Sequence, residues 1–162
     1  MDGRVFHSDL VPDYALPARP VPEDDLLALY ARHRALHERG DWVGLADLFT
    51  EDGSYLDSVY GWSHGREDIR AFLRRSMTGL EEWTFPIHAV AFDTAHGVIL
   101  NHWVNRLPGT RPDGSHYEVP GASVITWSDG GLVSRQMDLF DTAWMMRVVQ
   151  EWVDDHDGAT PY

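Results

Sequence analysis

An aspartate set within a strand-forming stretch is the strongest chemical signal in this chain. Gly131 to Asp141, GLVSRQMDLFD, lies between a sharp hairpin signal, Asp129-Gly130-Gly131, and a good helix N-cap pair, Asp141-Thr142. Period-two geometry puts Leu132, Ser134, Gln136, Asp138 and Phe140 on one face and Val133, Arg135, Met137 and Leu139 on the other. A carboxylate beside Leu132 and Phe140 is costly unless it is paired or lines a cavity. Asp57 repeats the pattern in GSYLDSV, Gly53 to Val59, where it shares a face with Tyr55. His33 and His37 stand four apart on the apolar stripe of an expected helix, within reach of the same cavity.

Among Tyr55, Trp103 and Phe140 a carboxylate would lose solvation, which raises its pKa and strengthens it as a base. A second acid nearby would separate the two protonation states, so that one donates while the other accepts. Such a set suits proton abstraction next to a carbonyl, followed by isomerisation, ring closure or loss of water. The substrate would be largely apolar, held by aromatic surfaces. Each residue also has a structural alternative. Asp138 could bond Arg135, Arg106 or backbone, Asp57 could cap a turn, and His33 and His37 could be satisfied core histidines. Nine histidines invite a zinc reading, but no HExxH motif occurs and no third ligand is fixed by spacing, so no metal is expected. Without a Gly-rich nucleotide loop, a GxSxG motif or any cysteine, neither a cofactor nor covalent catalysis is expected.

The elements that must position these residues follow from periodicity. Met1 to Val21 carries three prolines and reads as an N-terminal arm. Pro22 with Glu23, Asp24 and Asp25 opens a helix whose inward stripe is Leu26, Leu29, Tyr30, His33, Leu36 and His37. Asp41 caps a short second helix burying Trp42, Leu45, Leu48 and Phe49. The strand with Asp57 comes next, then a loop from Tyr60 to Gly65, then a helix from Arg66 to about Met77. Four long strands, near Trp83 to Asp93, Gly97 to Leu107, His116 to Ser128 and Gly131 to Phe140, are joined by hairpin-like turns and predict an antiparallel meander. A last helix is expected to bury Trp144, Met145, Val148 and Trp152, with an acidic tail, 155–162, that frays. The order is α-α-β-α-β-β-β-β-α, an α+β arrangement with a curved sheet covered by helices and a pocket between the layers.

Length and charge bound the partners. At 162 residues, 43% hydrophobic and 24% charged, the chain fits one globular domain, read as 22–154. A formal charge of -13, from 13 Lys+Arg against 26 Asp+Glu, disfavours nucleic acid and anionic membranes. No signal peptide or spanning apolar run is read, so a cytoplasmic protein is expected.

The segments Ala31-Arg32-His33 to Arg39-Gly40-Asp41, Phe49-Thr50-Glu51-Asp52, Tyr55-Leu56-Asp57, His64-Gly65-Arg66-Glu67-Asp68-Ile69 and Met137-Asp138-Leu139-Phe140-Asp141 resemble the SnoaL-like branch of the NTF2-like superfamily. The resemblance covers about Leu26 to Trp144. It implies a cone-shaped fold with a pocket at the wide end, and relatives such as ketosteroid isomerase, limonene epoxide hydrolase, scytalone dehydratase and polyketide cyclases. Against the isomerase, Asp57 falls at the proton-abstracting aspartate, His33 at the oxyanion-binding tyrosine and Ser123 at the second oxyanion donor. Against the epoxide hydrolase, Asp138 matches the water-activating aspartate and Tyr55 a water-holding tyrosine. There Trp103 replaces an arginine and Asn105 a second aspartate. Against scytalone dehydratase, His88 resembles a catalytic histidine on the first long strand. The polyketide cyclases place their acid-base aspartate near Asp138.

The resemblance thus implies Asp138, Asp57, His33 and His88 as catalytic residues. Tyr55, Trp103, Asn105, Ser123, His37 and Phe140 would line the substrate site. It also implies a homodimer, with the convex sheet face and the arm in the interface. Epoxide opening and a non-catalytic binding or dimerisation module are the alternatives to a cyclase, dehydratase or isomerase.

Overall fold

The structure, a computed structural model, describes residues 20–162. The arm, apart from Pro20 and Val21, lies outside the described residues. Val21 is buried, and its N–H donates to the Thr94 carbonyl at 2.8 Å, so the chain is anchored before the first helix begins.

Helix α1, Glu23–Glu38, has Pro22 at its N-cap and three acids in its first turn, where the helix dipole favours negative charge. It buries Leu26, Leu29, Tyr30 and His33. The short α2, Trp42–Leu45, is capped by Asp41, whose carboxylate accepts from Gly44 N–H at 2.9 Å. A 3-10 turn, Ala46–Leu48, delivers the chain to β1, Phe49–Asp57. The expected loop after β1 instead forms β2, Gly61–His64, antiparallel to β1. Helix α3, Arg66–Ser76, follows Gly65, whose φ of 84° suits a residue without Cβ. Ile69, Phe72 and Leu73 are its buried face.

The meander is β3, Ile87–Asp93, β4, Val98–Arg106, β5, Glu118–Ser128, and β6, Leu132–Phe140. Its pairings are antiparallel, as the turn residues predict. The sheet order is β2-β1-β6-β5-β4-β3, and β1 pairs with β6 in parallel, so the sheet is mixed rather than wholly antiparallel. That parallel pair brings Asp57 level with Asp138.

Helix α4, Thr142–Asp155, starts where the Asp141 carboxylate accepts from Trp144 N–H at 2.8 Å. Its buried stripe is Met145, Val148, Val149 and Trp152, whereas Trp144, expected inside, is 42% exposed. The tail beyond α4 is docked rather than frayed. Trp83 Nε1 donates to the Pro161 carbonyl at 2.7 Å, and the Tyr162 ring stacks on Trp83.

Two apolar clusters result. One joins α1, α2, α3 and the sheet around Leu26, Leu29, Phe49, Ile69, Ile99 and Ile125. The other packs α4 against Trp83, Leu107, Tyr117 and Val119.

Candidate active site

A cavity of about 300 Å³ lies between the sheet and the helices, with Asp138, Asp57, Tyr55, Ser123, Gln136 and Asn101 among its lining residues. Strand parity explains this set. One cross-strand row of the floor runs Asn101 on β4, Ser123 on β5, Asp138 on β6 and Asp57 on β1. Beside it run Trp103, Gly121 and Phe140. Residues in register on adjacent strands share a face, so one polar row crosses an otherwise aromatic and aliphatic floor.

Asp138 is held by three donors. Tyr55 Oη–H donates to Oδ2, Ser123 Oγ–H to Oδ1 at 2.7 Å, and Gln136 Nε2–H to Oδ1 at 3.0 Å. Among the described residues no arginine pairs with it; Arg106 goes instead to Glu118, at 2.5 Å. Asp138 keeps some accessible surface and yet lies deep in the protein, because it lines the cavity rather than the exterior. Burial raises its pKa above the ordinary carboxylate value, the three donors pull it back in part, and the Asp57 charge adds to the rise. Tyr55 is likewise pushed well up, by burial first and then by the adjacent Asp138 charge, and so stays a donor.

The polarity of the network is fixed from the acid outward. Gln136 gives its amide hydrogens to Asp138, so its Oε1 must accept from His33 Nε2–H, 3.2 Å away. His33 is therefore the Nε2–H tautomer, and its Nδ1 carries a lone pair with no hydrogen-bond partner. Burial lowers its pKa from 6.5 to about 4, which keeps the ring neutral near pH 7. On the other side, Trp103 Nε1–H donates to Ser123 Oγ at 2.8 Å. Trp103, Ser123, Asp138, Gln136 and His33 thus form one continuous buried chain.

Gly121 makes room for the indole. A Cβ there would lie 2.5 Å from Trp103 Cη2 and 2.7 Å from Cζ3. A rigid ring cannot give way locally, so Gly121→Ala should tip Trp103 and break its bond to Ser123. The expected loss is about 1–3 kcal/mol, read from the denaturant midpoint. An unchanged midpoint and near-ultraviolet dichroism would contradict this packing.

Asp57 lines the cavity, but its Oδ1 accepts from Val59 N–H at 2.7 Å and Tyr60 N–H at 3.0 Å, capping the turn between β1 and β2. His37 sits at the cavity wall with its ring edge-on to Trp42 and Phe85, and burial lowers its pKa. Phe140 packs against Trp103, and Asn105 lines the cavity from the far end of β4.

His88 is the site residue that the structure moves elsewhere. A bulge between Ile87 and Ala89 leaves Ile87 opposite Trp103 and in the cavity wall, while His88 is exposed near His102. His88 lines instead an adjoining groove of about 970 Å³, which shares a wall including His37, Trp42 and Phe85 with the cavity but does not include Asp138 or Tyr55. Two lining residues, Gln136 and Asn101, had not been singled out. Parity with Asp138 and with Trp103 was the available signal. Among the described residues, no group of three or more His, Asp or Glu is placed to hold a metal ion, and no helix is long and apolar enough to cross a membrane.

A curved mixed sheet with helices closing a buried polar floor is the NTF2-like fold, shared with an NTF2-like protein of unknown function from Burkholderia pseudomallei (21% identity, TM-score 0.62, 76% of this chain and 96% of that one). The family model for the SnoaL-like domain matches residues 28–135, and the chain belongs to that family. An M. tuberculosis epoxide hydrolase of the LEH-like type shares the fold at 17% identity and TM-score 0.59, over 80% of this chain and 93% of that one. So does SalBIII, an epoxide hydrolase/cyclase-like enzyme of pyran ring formation in the polyether salinomycin, at 15% identity and TM-score 0.60, over 75% and 94%. No curated protein sequence matches the chain.

Proposed function

We propose that this protein is a cofactor-independent enzyme that abstracts a proton next to the carbonyl of an apolar small molecule, with Asp138 as the general base. The observation that carries the reading is the Asp138 carboxylate itself. It is deep in a cavity, paired with no cation among the described residues, and raised in pKa while three donors fix its orientation. A desolvated and oriented carboxylate is a stronger base than one in water. Tyr55 and Ser123 act as positioning residues, and neutral His33 holds Gln136 in register.

Asp57 serves the site chiefly through its field, since one oxygen of its carboxylate, Oδ1, is engaged by the turn. Cyclisation, dehydration or isomerisation would then depend on where the substrate places its leaving group or electrophile. Epoxide opening is the second reading, favoured by the Tyr55–Asp138 pair, which could hold and activate a water. The setting in this reading is cytoplasmic, with no nucleic-acid or membrane partner, in keeping with the net charge of -13.

The test is a rate profile on a panel of polyketide-, terpenoid- and steroid-like ketones. Activity should fall as pH drops through the raised pKa of Asp138, because the base is then protonated. Tyr55→Phe removes one donor to the carboxylate, so its acid limb should move to higher pH. A limb that stays in place would show that Asp138 does not govern the rate.

The same reading includes a homodimer. Leu100 and Leu139, one residue out of phase with Asn101 and Asp138, are 44% and 43% exposed on the outer sheet face. A second copy is the expected cover, and a monomeric mass by light scattering would remove it.

A further inference from the structure

The cavity meets solvent where its lining residues are also exposed. Val59 and Tyr60 in the turn after β1, Arg75 at the end of α3, Met146 near the start of α4 and Tyr162 in the tail all line it and are all exposed. Four of them make an apolar and aromatic rim. The fifth is the only arginine among the described residues that line the cavity, and the chain contains no lysine. Arg75 is thus the one permanent cation at a cavity that also holds Asp57 and Asp138.

That cation is unmatched. Arg34, Arg70, Arg106 and Arg111 each pair with a carboxylate at between 2.5 and 2.8 Å. Among the described residues the Arg75 guanidinium has no such partner, in a chain with 26 acidic residues to 13 basic ones. It lies instead over the Tyr60 ring, 5.9 Å from its centre, which leaves its N–H fork open. Tyr60 is itself fixed, edge-on to Phe72 at 5.8 Å and with its N–H donating to Asp57 Oδ1. A basic residue in the last turn of a helix also offsets the helix dipole, but Arg74 stands in the same turn and serves that end equally. Arg74 lines the adjoining groove and not the cavity, so it is the natural control.

An open guanidinium calls for an anion, and the two acids decide where on the ligand the anion sits. Asp57 and Asp138 are level on neighbouring strands, so a negative charge drawn inside would meet like charge away from bulk water. The anionic end must stay at the rim, with the apolar body inward. A carboxylate suits one guanidinium, since it carries one charge and accepts two parallel N–H bonds. A dianionic phosphate would bring surplus charge toward Asp57.

We propose that Arg75 is a specificity residue that receives the carboxylate of an amphipathic substrate, whose apolar body then lies among Tyr55, Trp103 and Phe140. This rests on the reading of the cavity as a substrate site, but not on Asp138 acting as a base.

Calorimetric titration with 2-naphthylacetate and its neutral analogue 2-naphthylacetamide tests it. The wild type should bind the acid about fivefold tighter, the upper range for an ion pair open to solvent. Arg75→Gln should abolish that preference, Arg75→Lys should keep part of it, and Arg74→Gln should leave it whole. All three variants should melt with the wild type, because both arginines are exposed.

The proposal is overturned if neither probe binds, if the amide binds as tightly as the acid, if the preference survives Arg75→Gln, or if Arg74→Gln removes it equally. A preference for the acid without turnover of any ketone would leave Arg75 in its role and remove only the catalytic reading.

Discussion

Asp138→Asn is expected to lower kcat/KM by about 10²- to 10⁴-fold, the usual contribution of a positioned general base, while the fold is retained. The two halves of that expectation have separate causes. The amide keeps the shape of the carboxylate and can still accept from Ser123 and Gln136, so the buried chain from Trp103 to His33 stays assembled. It has no basic lone pair, so the proton has nowhere to go. The raised pKa also means that the ionised form is disfavoured in the folded state relative to the unfolded chain. Its removal should therefore leave the melting temperature at neutral pH unchanged or higher. A variant that folds and turns over at the wild-type rate would end the proposed mechanism.

The second large effect concerns acid. With a folded-state pKa of about 4 against 6.5 for an ordinary histidine, His33 binds a proton in the unfolded chain before it does so in the native protein. Stability should fall as pH drops from about 6.5 and stop falling on this account below about 4. The full loss is about 3 kcal/mol, at about 1.4 kcal/mol for each pH unit between the two values. His37, whose pKa burial moves in the same direction, adds to it. Asp138 opposes it, because protonating a carboxylate of raised pKa favours the folded state. Comparison with His33→Gln isolates the histidine, since glutamine can still donate to Gln136 but does not titrate. The drop in denaturant midpoint between pH 7 and 4.5 should be smaller in the variant. Equal drops would mean that His33 is not the buried neutral ring described here.

Much of the site was legible because it depends on short-range parity. The alternation around Asp138 and Phe140, and around Tyr55 and Asp57, places those residues inward whatever the strands' neighbours are. Asp141 as an N-cap and the glycines after Asp129 mark boundaries by their own backbone chemistry. The features that escaped are those fixed by distant partners. The parallel pairing of β1 with β6 joins segments some eighty residues apart, and no local pattern specifies it.

Strand β2 is four residues long and owes its form to β1, so Gly61 to His64 reads alone as a loop. His88 was expected from the resemblance alone, and in β3 it is the extra residue of the bulge between Ile87 and Ala89, next to Ile87, which takes the place facing Trp103. Gln136 shared a face with Asp138 in the sequence, but its place in the hydrogen-bond chain depends on His33, a helix away. The docked tail is a similar case, since Pro161 and Tyr162 owe their position to Trp83.

The most direct test is hydrogen exchange at the α-carbon of a ketone in deuterated water, which reads proton abstraction without requiring the later steps. With α-tetralone as the probe and mass spectrometry as the readout, the wild type should incorporate deuterium well above the buffer rate and Asp138→Asn should not. Exchange at the buffer rate with wild type, or equal exchange in both proteins, would contradict the assignment of Asp138 as a base.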